Sequence, residues 1–341
     1  MMTPIEAFKQ SHTILVTGGA GYIGSHAVLA LKDTGWKVVV IDNLVTGFRW
    51  AVPDDVAFYE GDIADGELLA RIIADEKVGA ILHFAGSVVV PESVSDPLKY
   101  YSNNTVKSRS LIESAVTGGV KHFIFSSTAA TYGTPEAQGP IAESTPQVPI
   151  NPYGTSKLMT EWMLRDCAAA HDFNYCALRY FNVAGADPQA RTGQSTTGAT
   201  HLIKVAVGAA LGKRDNVTVF GTDFDTPDGT GVRDYIHVSD LAHAHVLALE
   251  ALIGEPSRSH TLNCGYGHGY SVMEVLDAVD RVTNHTIERV LAGRRAGDPA
   301  SLTADNTAIR SRFGWTPQHD DLDTIVTHAL AWERRLGDKA P

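Results

Sequence analysis

The sequence predicts an α/β protein built on a doubly wound parallel sheet, with a smaller mixed α/β domain for binding a substrate. Three observations support this fold class. Short apolar, β-branched runs alternate with helix-like segments through the first half of the chain. A glycine-rich turn separates the first such run from the first helix. Polar or small residues follow several predicted strands, and ligands bind at that end of parallel sheets.

The strand pattern opens at residues 13–17, whose sequence Thr-Ile-Leu-Val-Thr is typical of a strand buried on both faces. Further strands are predicted at 37–41, 57–60, 80–84 and 121–125, and the helices between them at 25–32, 67–75 and 97–118. A longer helix is predicted up to residue 170, with Asn151 as its N-cap and Pro152 at its first position. These elements form the repeating pattern of a parallel sheet.

The regular alternation weakens after Asn182. Beyond that point the sequence predicts helices at 201–211, 239–251 and 271–282, strands at 217–220 and 233–237, and a glycine-rich loop at 221–231. We therefore expect two discontinuous domains. The dinucleotide-binding domain would comprise residues 12–181 plus about 233–262, and the substrate-binding domain 182–232 plus about 263–341.

Composition excludes several classes of protein. The 341 residues include 44% hydrophobic and 20% charged residues, which is typical of a globular protein. A net charge of −11 argues against nucleic acid or an anionic membrane as the main partner. No apolar run approaches the ~20 residues that a membrane helix needs. The three cysteines share no metal-ligand spacing, so we expect buried thiols, a cytoplasmic location and no metal site.

The glycine turn indicates a dinucleotide site. Gly18, Gly21 and Gly24 lie between the first predicted strand and the first helix, where a tight turn lets a pyrophosphate approach the backbone at a helix N-terminus. Asp42 ends the second strand, eighteen residues after Gly24. Its carboxylate could accept hydrogen bonds from both ribose hydroxyls and would repel a 2′-phosphate, which favours NAD over NADP.

A candidate general base lies on the long helix. Tyr153 and Lys157 are four residues apart and so face the same way. An ammonium beside a phenol favours the phenolate, so we expect the pKa of Tyr153 to fall below its usual value of ~10. The spacing alone also fits an ordinary exposed helical pair, and the hydroxyl of Thr128 at a strand end adds a possible partner.

These motifs resemble those of the extended short-chain dehydrogenase/reductase family. The resemblance covers residues 12–335 and includes the turn at 17–24, the strand-end Asp42, Ser-Ser-Thr at 126–128 and Tyr-x-x-x-Lys at 153–157. Within the family the chain is similar to UDP-hexose 4-epimerases at 83–86, 151–154, 179–182, 228–237 and 295–299. The fold implied is of the Rossmann type.

The resemblance implies a set of site residues. Catalysis is assigned to Tyr153 as base, Lys157 and Thr128. Contacts to NAD are implied for Gly18, Gly21, Tyr22, Ile23, Gly24, Asp42, Asn43, Asp62, Ile63, Phe84, Ala85, Gly86, Asn103, Lys157 and Phe181. Contacts to the UDP-sugar are implied for Thr128, Tyr153, Asn182, His201, Phe220, Arg233, Arg295 and Asp298.

The implied reaction oxidises the sugar at C4, lets the 4-keto sugar rotate and returns the hydride to its other face. Because the net redox change is zero, NAD would stay tightly bound and would not be consumed. The resemblance also implies a homodimer formed through the helices at 98–117 and 153–170. The resemblance implies UDP-galactose and UDP-glucose as the substrate pair, with UDP-GlcNAc and UDP-arabinose left open as alternatives.

The chain departs from the commonest family pattern at four positions. Thr128 stands where many members have Ser, Val88 where some have Lys, and His201 where some have Asn against the UDP. Leu302 replaces a Tyr or Cys that limits the size of the sugar. Thr128 keeps the hydroxyl, whereas Val88 removes one polar contact to the cofactor.

Two other activities are disfavoured. A nucleotide-sugar 4,6-dehydratase needs additional acid and base groups to expel water, and the family places Asp-Glu directly after the Thr. Here Ala129 and Ala130 follow Thr128, and neither can transfer a proton. A non-catalytic NAD-binding scaffold is disfavoured because Thr128, Tyr153 and Lys157 are all present.

Overall fold

The computed structural model describes residues 2–135, 139–295 and 298–337. The strands are β1 Thr13–Thr17, β2 Val38–Asp42, β3 Ala57–Glu60, β4 Val78–His83, β5 His122–Thr128, β6 Asn174–Tyr180, β7 Asn182–Ala184, β8 Val217–Phe220, β9 Val232–Arg233, β10 Tyr235–His237, β11 His260–Cys264, β12 Tyr270–Ser271, β13 Arg289–Ala292 and β14 Ser301–Leu302. The helices are α1 Pro4–Ser11, α2 Tyr22–Asp33, α3 Gly66–Asp75, α4 Val90–Ser95, α5 Pro97–Tyr100, α6 Lys107–Thr117, α7 Pro152–Ala170, α8 Leu202–Ala210, α9 Val238–Gly254, α10 Val272–Thr283, α11 Thr307–Phe313 and α12 Leu322–Gly337.

The central sheet has seven parallel strands in the order β3-β2-β1-β4-β5-β6-β11. The order reverses between β1 and β4, which opens a crevice at the carboxyl ends of those strands. Smaller sheets, β12-β9-β14, β13-β8 and β10-β7, lie outside it, and the first contains both parallel and antiparallel pairs. The predicted doubly wound sheet with a smaller mixed part is confirmed.

The core has two apolar layers, one on each face of the sheet. Alternation along β1 directs Ile14 and Val16 into one layer and Leu15 into the other. The first layer contains residues of α2, α9, α10 and α12, and the second contains residues of α3, α6 and α7. Each fully buried Leu or Ile stabilises the fold by about 1.5–3 kcal/mol. Among the described residues, no helix has the length and apolarity needed to span a bilayer.

The predicted helix at 97–118 is not continuous. A π-helical turn, Tyr101–Val106, separates α5 from α6. Asn104 in this turn is buried, and its side chain bonds both the N–H and the C=O of Ser87. Such a turn inserts extra backbone into a helix and is common near functional sites. The helical periodicity of the sequence carries no signal for it.

Several other elements lie outside the sequence prediction, and α1 and β11 are two of them. Helix α1 begins with a capping box between Thr3 and Glu6 and places Phe8 against Trp36. Strand β11 adds a seventh strand and ends at Cys264, two residues beyond the predicted domain boundary near 262. The two-domain division stays a prediction. Residues 338–341, at the end of the predicted substrate-binding domain, lie outside the described part of the chain.

Six of the described histidines are buried, and four of them are considered together: His26, His83, His237 and His245. Burial lowers their pKa to about 4, 3, 2 and 4 respectively, because a charged imidazolium would lose its hydration. The lowering at His237 is reinforced by His319 and His328, whose rings contact it. These side chains therefore stay neutral inside the folded protein at mildly acidic pH.

We expect the free energy of unfolding to decrease as pH falls below about 6.5. The unfolded chain protonates each imidazole near that pH and the folded chain only near pH 2–4, so each contributes a slope of up to about 1.4 kcal/mol per pH unit. The measurement is urea unfolding at pH 7.5 and 5.5. Replacing His245 with Phe, which keeps a ring between Phe84 and Tyr180, should remove about one proton from this dependence. An unchanged slope would contradict the assignment.

Candidate active site

The glycine turn is the most crowded part of the site. Gly18 has φ +69°, and a Cβ there would lie 2.6 Å from the backbone nitrogen of Ala85. A Cβ at Gly24 would lie 2.1 Å from the carbonyl oxygen of Gly18. The turn therefore packs backbone to backbone against the segment after β4. Gly21 caps α2 without a side chain, so the first N–H groups of that helix can bind phosphate.

Asp42 joins the glycine turn to the end of β2. Its Oδ2 accepts a hydrogen bond from the N–H of Ala20 (2.9 Å), and its Oδ1 accepts one from Leu44 (2.8 Å). Burial raises the pKa of Asp42, and these two bonds oppose that rise. Each carboxylate oxygen can accept a second hydrogen bond. The carboxylate can therefore bind ribose hydroxyls while it holds the turn.

Three more predicted cofactor residues lie beside Asp42. Asn43 hydrogen-bonds Asp62, which also pairs with Lys107, and Ile63 is buried next to them. Burial opposes the charge on Asp62, but the bond from Lys107 and other hydrogen bonds hold its pKa below the usual value. Together with the free N–H groups of α2, this cluster fits the adenosine and pyrophosphate of a dinucleotide.

The segment after β4 lies between the glycine turn and helix α7. Phe84, Ala85 and Gly86 follow the strand, and a Cβ on Gly86 would lie 3.8 Å from the Nζ atom of Lys157. Asn103 donates to the hydroxyl of Ser87 (2.9 Å), which fixes the next residue of this segment. Tyr22 donates to the carbonyl of Gly185 (2.7 Å) and so links α2 to the chain after β7.

The start of α7 brings the three predicted catalytic residues together. Asn151 accepts from the N–H of Gly154 (2.9 Å), which fixes the first turn. Tyr153 and Lys157 are both buried, and the Thr128 hydroxyl hydrogen-bonds the Tyr153 phenol. Lys157 donates to the carbonyl of Ser126 (3.0 Å).

The expectation that Lys157 lowers the pKa of Tyr153 is wrong for the protein alone. Burial raises the pKa of Tyr153, and the hydrogen bond from Thr128 only partly opposes this. Burial also lowers the pKa of Lys157 to about 8, against the attraction of the Glu161 carboxylate. The ammonium points at the Ser126 carbonyl, and desolvation penalises both charged forms. A further positive charge close to Tyr153 would favour the phenolate.

The predicted substrate residues lie on the smaller sheets and their loops. Arg233 on β9 is largely buried, and its Nη2 lies 4.0 Å from the Oδ1 atom of Asp298. Burial lowers the pKa of Arg233, so this cation lacks full hydration. The guanidinium of Arg295 stacks on Phe220, 3.8 Å from the ring centre. Two arginines in this region can bind phosphate oxygens. Gly297 of the same motif lies outside the described residues.

Tyr22, Asn182 and His201 line one cleft beside α8, and Thr128, Tyr153 and Lys157 are not among its lining residues. The Nδ1 atom of His201 lies 3.3 Å from the side-chain nitrogen of Gln194, whose oxygen accepts from Thr196. His201 therefore accepts at Nδ1 and carries its proton at Nε2 when neutral. Phe181 and Leu302 each pack against the buried group of Ala129, Tyr132 and Ile141.

Sequence reasoning missed the groups behind the catalytic residues. Tyr180 hydrogen-bonds Ser126, and Glu161 forms a buried ion pair with Arg179. The sequence carried one signal for Glu161, which lies four residues after Lys157 on the same helix. Within residues 2–135, 139–295 and 298–337, no cluster of three His, Cys, Asp or Glu residues is arranged to hold a metal ion.

The chain matches a known family over most of its length. The model of the NAD dependent epimerase/dehydratase family matches residues 14–265. A UDP-glucose 4-epimerase of Azospirillum brasilense is 56% identical over 96% of this chain and 93% of its own length. The UDP-glucose 4-epimerase of Brucella ovis, solved with NAD, superimposes with a TM-score of 0.91 at 44% identity, covering 94% and 98% of the two chains.

A third relative has a broader substrate range in its name. The UDP-Glc/GlcNAc 4-epimerase of Campylobacter jejuni superimposes with a TM-score of 0.83 at 47% identity, covering 95% of this chain and 99% of its own.

We expect the Gly24→Ala variant to lose dinucleotide affinity by roughly tenfold or more, because its Cβ would open the turn that presents the α2 N–H groups. The measurement is the amount of NAD retained by the purified protein and its affinity on titration. Gly66→Ala is the matched control, since a Cβ at that first residue of α3 has open space. Equal NAD retention by the two variants would contradict this role of the turn.

Proposed function

This chain belongs to the NAD dependent epimerase/dehydratase family, and we propose that it interconverts UDP-galactose and UDP-glucose through Tyr153, Lys157 and Thr128. Its activity is NAD-dependent UDP-sugar 4-epimerisation, which makes it an isomerase. The observation that supports the residue assignment is the hydrogen-bonded Thr128–Tyr153 pair beside a buried Lys157. Lys157 lies beside Gly86, in the segment that packs against the glycine turn.

Tyr153 acts as the base that takes the proton from the 4-hydroxyl of the sugar and later returns it. Thr128 hydrogen-bonds the same oxygen while its charge changes. Bound NAD supplies the hydride acceptor and donor at C4 and a positive charge. Lys157 stabilises the phenolate from its fixed position on the Ser126 carbonyl. The buried setting that raises the pKa of Tyr153 in the free protein strengthens each of these interactions.

The UDP group is the anchor that keeps the substrate in place while the 4-keto sugar turns. Arg233 and Arg295 bind its two phosphates, and Phe220 supports Arg295 by stacking. His201 donates from Nε2, and Asn182 binds the sugar from β7. Asp298 orients Arg233. This division of labour leaves the hexose free to rotate.

The residues after Thr128 restrict the chemistry to proton and hydride transfer at C4. Ala129–Tyr132 forms a short 3₁₀ turn, and the Ala130 carbonyl packs against Gly154 at the start of α7. A Cβ at Gly154 would lie 2.4 Å from that oxygen, so the two segments are in close contact. Neither alanine offers an acid or a base for expelling water, which disfavours a dehydratase.

The sugar is tested by incubating the protein, without added NAD, with UDP-galactose, UDP-GlcNAc and UDP-arabinose. We expect the fastest turnover with UDP-galactose, because Leu302, like Phe181, packs against the apolar group around Ala129 and leaves less room than a Cys. Comparable turnover of UDP-GlcNAc would instead support a broader specificity, as in the Campylobacter jejuni relative.

Tyr153→Phe should lower the epimerisation rate by roughly 10²–10⁴-fold, because the variant has no group to take the proton. The amount of NAD bound should stay at the parent level, since the phenyl ring still fills its place beside Tyr100. The assay is the conversion of UDP-galactose to UDP-glucose at saturating substrate. Turnover near the parent rate would exclude Tyr153 as the base.

We also propose that two copies pair through the helices at 98–117 and 153–170, which are α5, the π-helical turn, α6 and α7, together with the adjacent α4, and that the protein is cytoplasmic. Val94, Leu98, Val106 and Trp162 are exposed on these contacting segments, and Leu98 is 77% exposed. An exposed apolar patch of this kind marks an interaction surface. The free cysteines Cys167, Cys176 and Cys264 suit a reducing compartment.

Trp162→Glu should convert a dimer to monomers, because it places a charge at the centre of the proposed apolar interface. Light scattering coupled to size-exclusion chromatography measures the mass. Leu291→Glu on β13 is the matched control, since Leu291 is also exposed and lies on a different element. A parent protein that is already monomeric would contradict the proposal.

A further inference from the structure

A buried ion pair lies directly behind the candidate catalytic residues. Glu161 on α7 accepts two hydrogen bonds from Arg179 on β6, from Nε (3.0 Å) and from Nη2 (2.6 Å). The two side chains are only 5% and 6% exposed. Charges this deeply buried remain ionised when they are paired and hydrogen-bonded. The proposed mechanism uses neither residue.

The pair holds the chain on both sides of Thr128. Ser127, the residue before it, donates from its hydroxyl to Oε1 of Glu161. Tyr132, four residues after it, accepts from Arg179 (2.8 Å) and donates to Asn263 (2.7 Å). The end of β5 and the turn that follows it are therefore tied to α7 and β6 at two points.

The same carboxylate lies one helical turn after Lys157. Residues four apart share a helix face, so Glu161 continues the line formed by Tyr153 and Lys157. Along β5, Ser126 holds Lys157 through its carbonyl, Ser127 holds Glu161 through its hydroxyl, and Thr128 holds Tyr153. Three consecutive strand residues thus contact three successive turns of α7, one to one.

We infer that Glu161 is a positioning residue for the proposed epimerisation, because it sets the register of β5 against α7 and thereby fixes the Thr128 hydroxyl on the Tyr153 phenol. This inference rests on the proposed function. Without the carboxylate, Ser127 loses its acceptor and Arg179 loses its partner. The strand end can then shift relative to the helix, and a shift of about 1 Å at a reacting group can cost 10²-fold in rate.

Glu161 also has an electrostatic effect on Lys157. The groups around this ammonium are Tyr153 and Glu161, one turn away on either side along α7, His83 from β4, and Phe125 and Ser126 from β5. Burial lowers the pKa of Lys157, and among these groups the Glu161 carboxylate opposes that fall. His83 is buried and neutral, and Arg179 is held by Glu161.

The expected sign of a pH effect follows from this arrangement. Removing the negative charge of Glu161 removes the attraction that opposes burial, so the pKa of Lys157 falls further. The ammonium is then lost at a lower pH. The basic limb of the activity profile should therefore move to lower pH in a variant that lacks this charge.

The test compares Glu161→Gln, Glu161→Asp and Ser127→Ala with the parent holoenzyme, using conversion of UDP-galactose between pH 6 and pH 10. We expect kcat of Glu161→Gln to fall by roughly 30- to 100-fold, with KM within about twofold and the basic limb lower by roughly one pH unit. Glu161→Asp keeps the charge and should restore the position of that limb. Ser127→Ala should lower kcat by roughly three- to tenfold without moving it.

Glu333→Gln is the matched control, because Glu333 is also buried and pairs with Lys204 and Lys213 on other elements. This variant should lower the unfolding midpoint as Glu161→Gln does and leave the pH profile in place. If Glu161→Gln does not fold, Ser127→Ala and Glu161→Asp still test the register and the charge.

The inference is overturned if Ser127→Ala and the Glu161 variants keep kcat within about twofold of an active parent. It is also overturned if Glu161→Gln and Glu333→Gln lose activity equally with identical pH profiles, because Glu161 would then act only on stability. A parent without 4-epimerase activity would reject the proposed function itself, which the same assay distinguishes from both results.

Discussion

The whole molecule depends on one constraint, which is that parallel strands must be joined by crossovers that return to the same edge of the sheet. Every strand of the central sheet therefore ends at one edge, where the order reverses between β1 and β4. Gly18, Asp42, Phe84 and Thr128 all reach the site by this route. None of them needs a special loop to be brought near the others.

Burial also shifts the pKa values of the candidate catalytic residues, and its effect is opposite to the one that the sequence suggests. A Tyr and a Lys on one helix face suggest mutual activation, yet desolvation raises the pKa of Tyr153 and lowers that of Lys157. Both shifts disfavour the charged forms of these two side chains. Under the proposed function, the positive charge of bound NAD would favour the phenolate, so proton removal from the sugar would be linked to the presence of the hydride acceptor.

The sequence predicted the parts of this protein that depend on periodicity and on turn chemistry. The alternating elements, the glycine turn and the start of α7 at Asn151 followed from local patterns. The π-helical turn could not be predicted, because it arises from tertiary bonds between Asn104 and the backbone of Ser87. The Glu161–Arg179 pair was also hidden, since it joins residues 18 positions apart through packing that no local pattern records.

The double role of Asp42 has a consequence for redesign of the cofactor preference. Exchanging a strand-end carboxylate for a neutral or basic residue is a natural first step toward accepting a 2′-phosphate. Here that carboxylate also accepts hydrogen bonds from the N–H groups of Ala20 and Leu44, so the exchange would loosen the glycine turn as well as change the predicted ribose contact. A successful NADP-dependent version would need a second substitution that satisfies those two N–H groups. A substitution at Asp42 would therefore change the cofactor preference and the order of the glycine turn together.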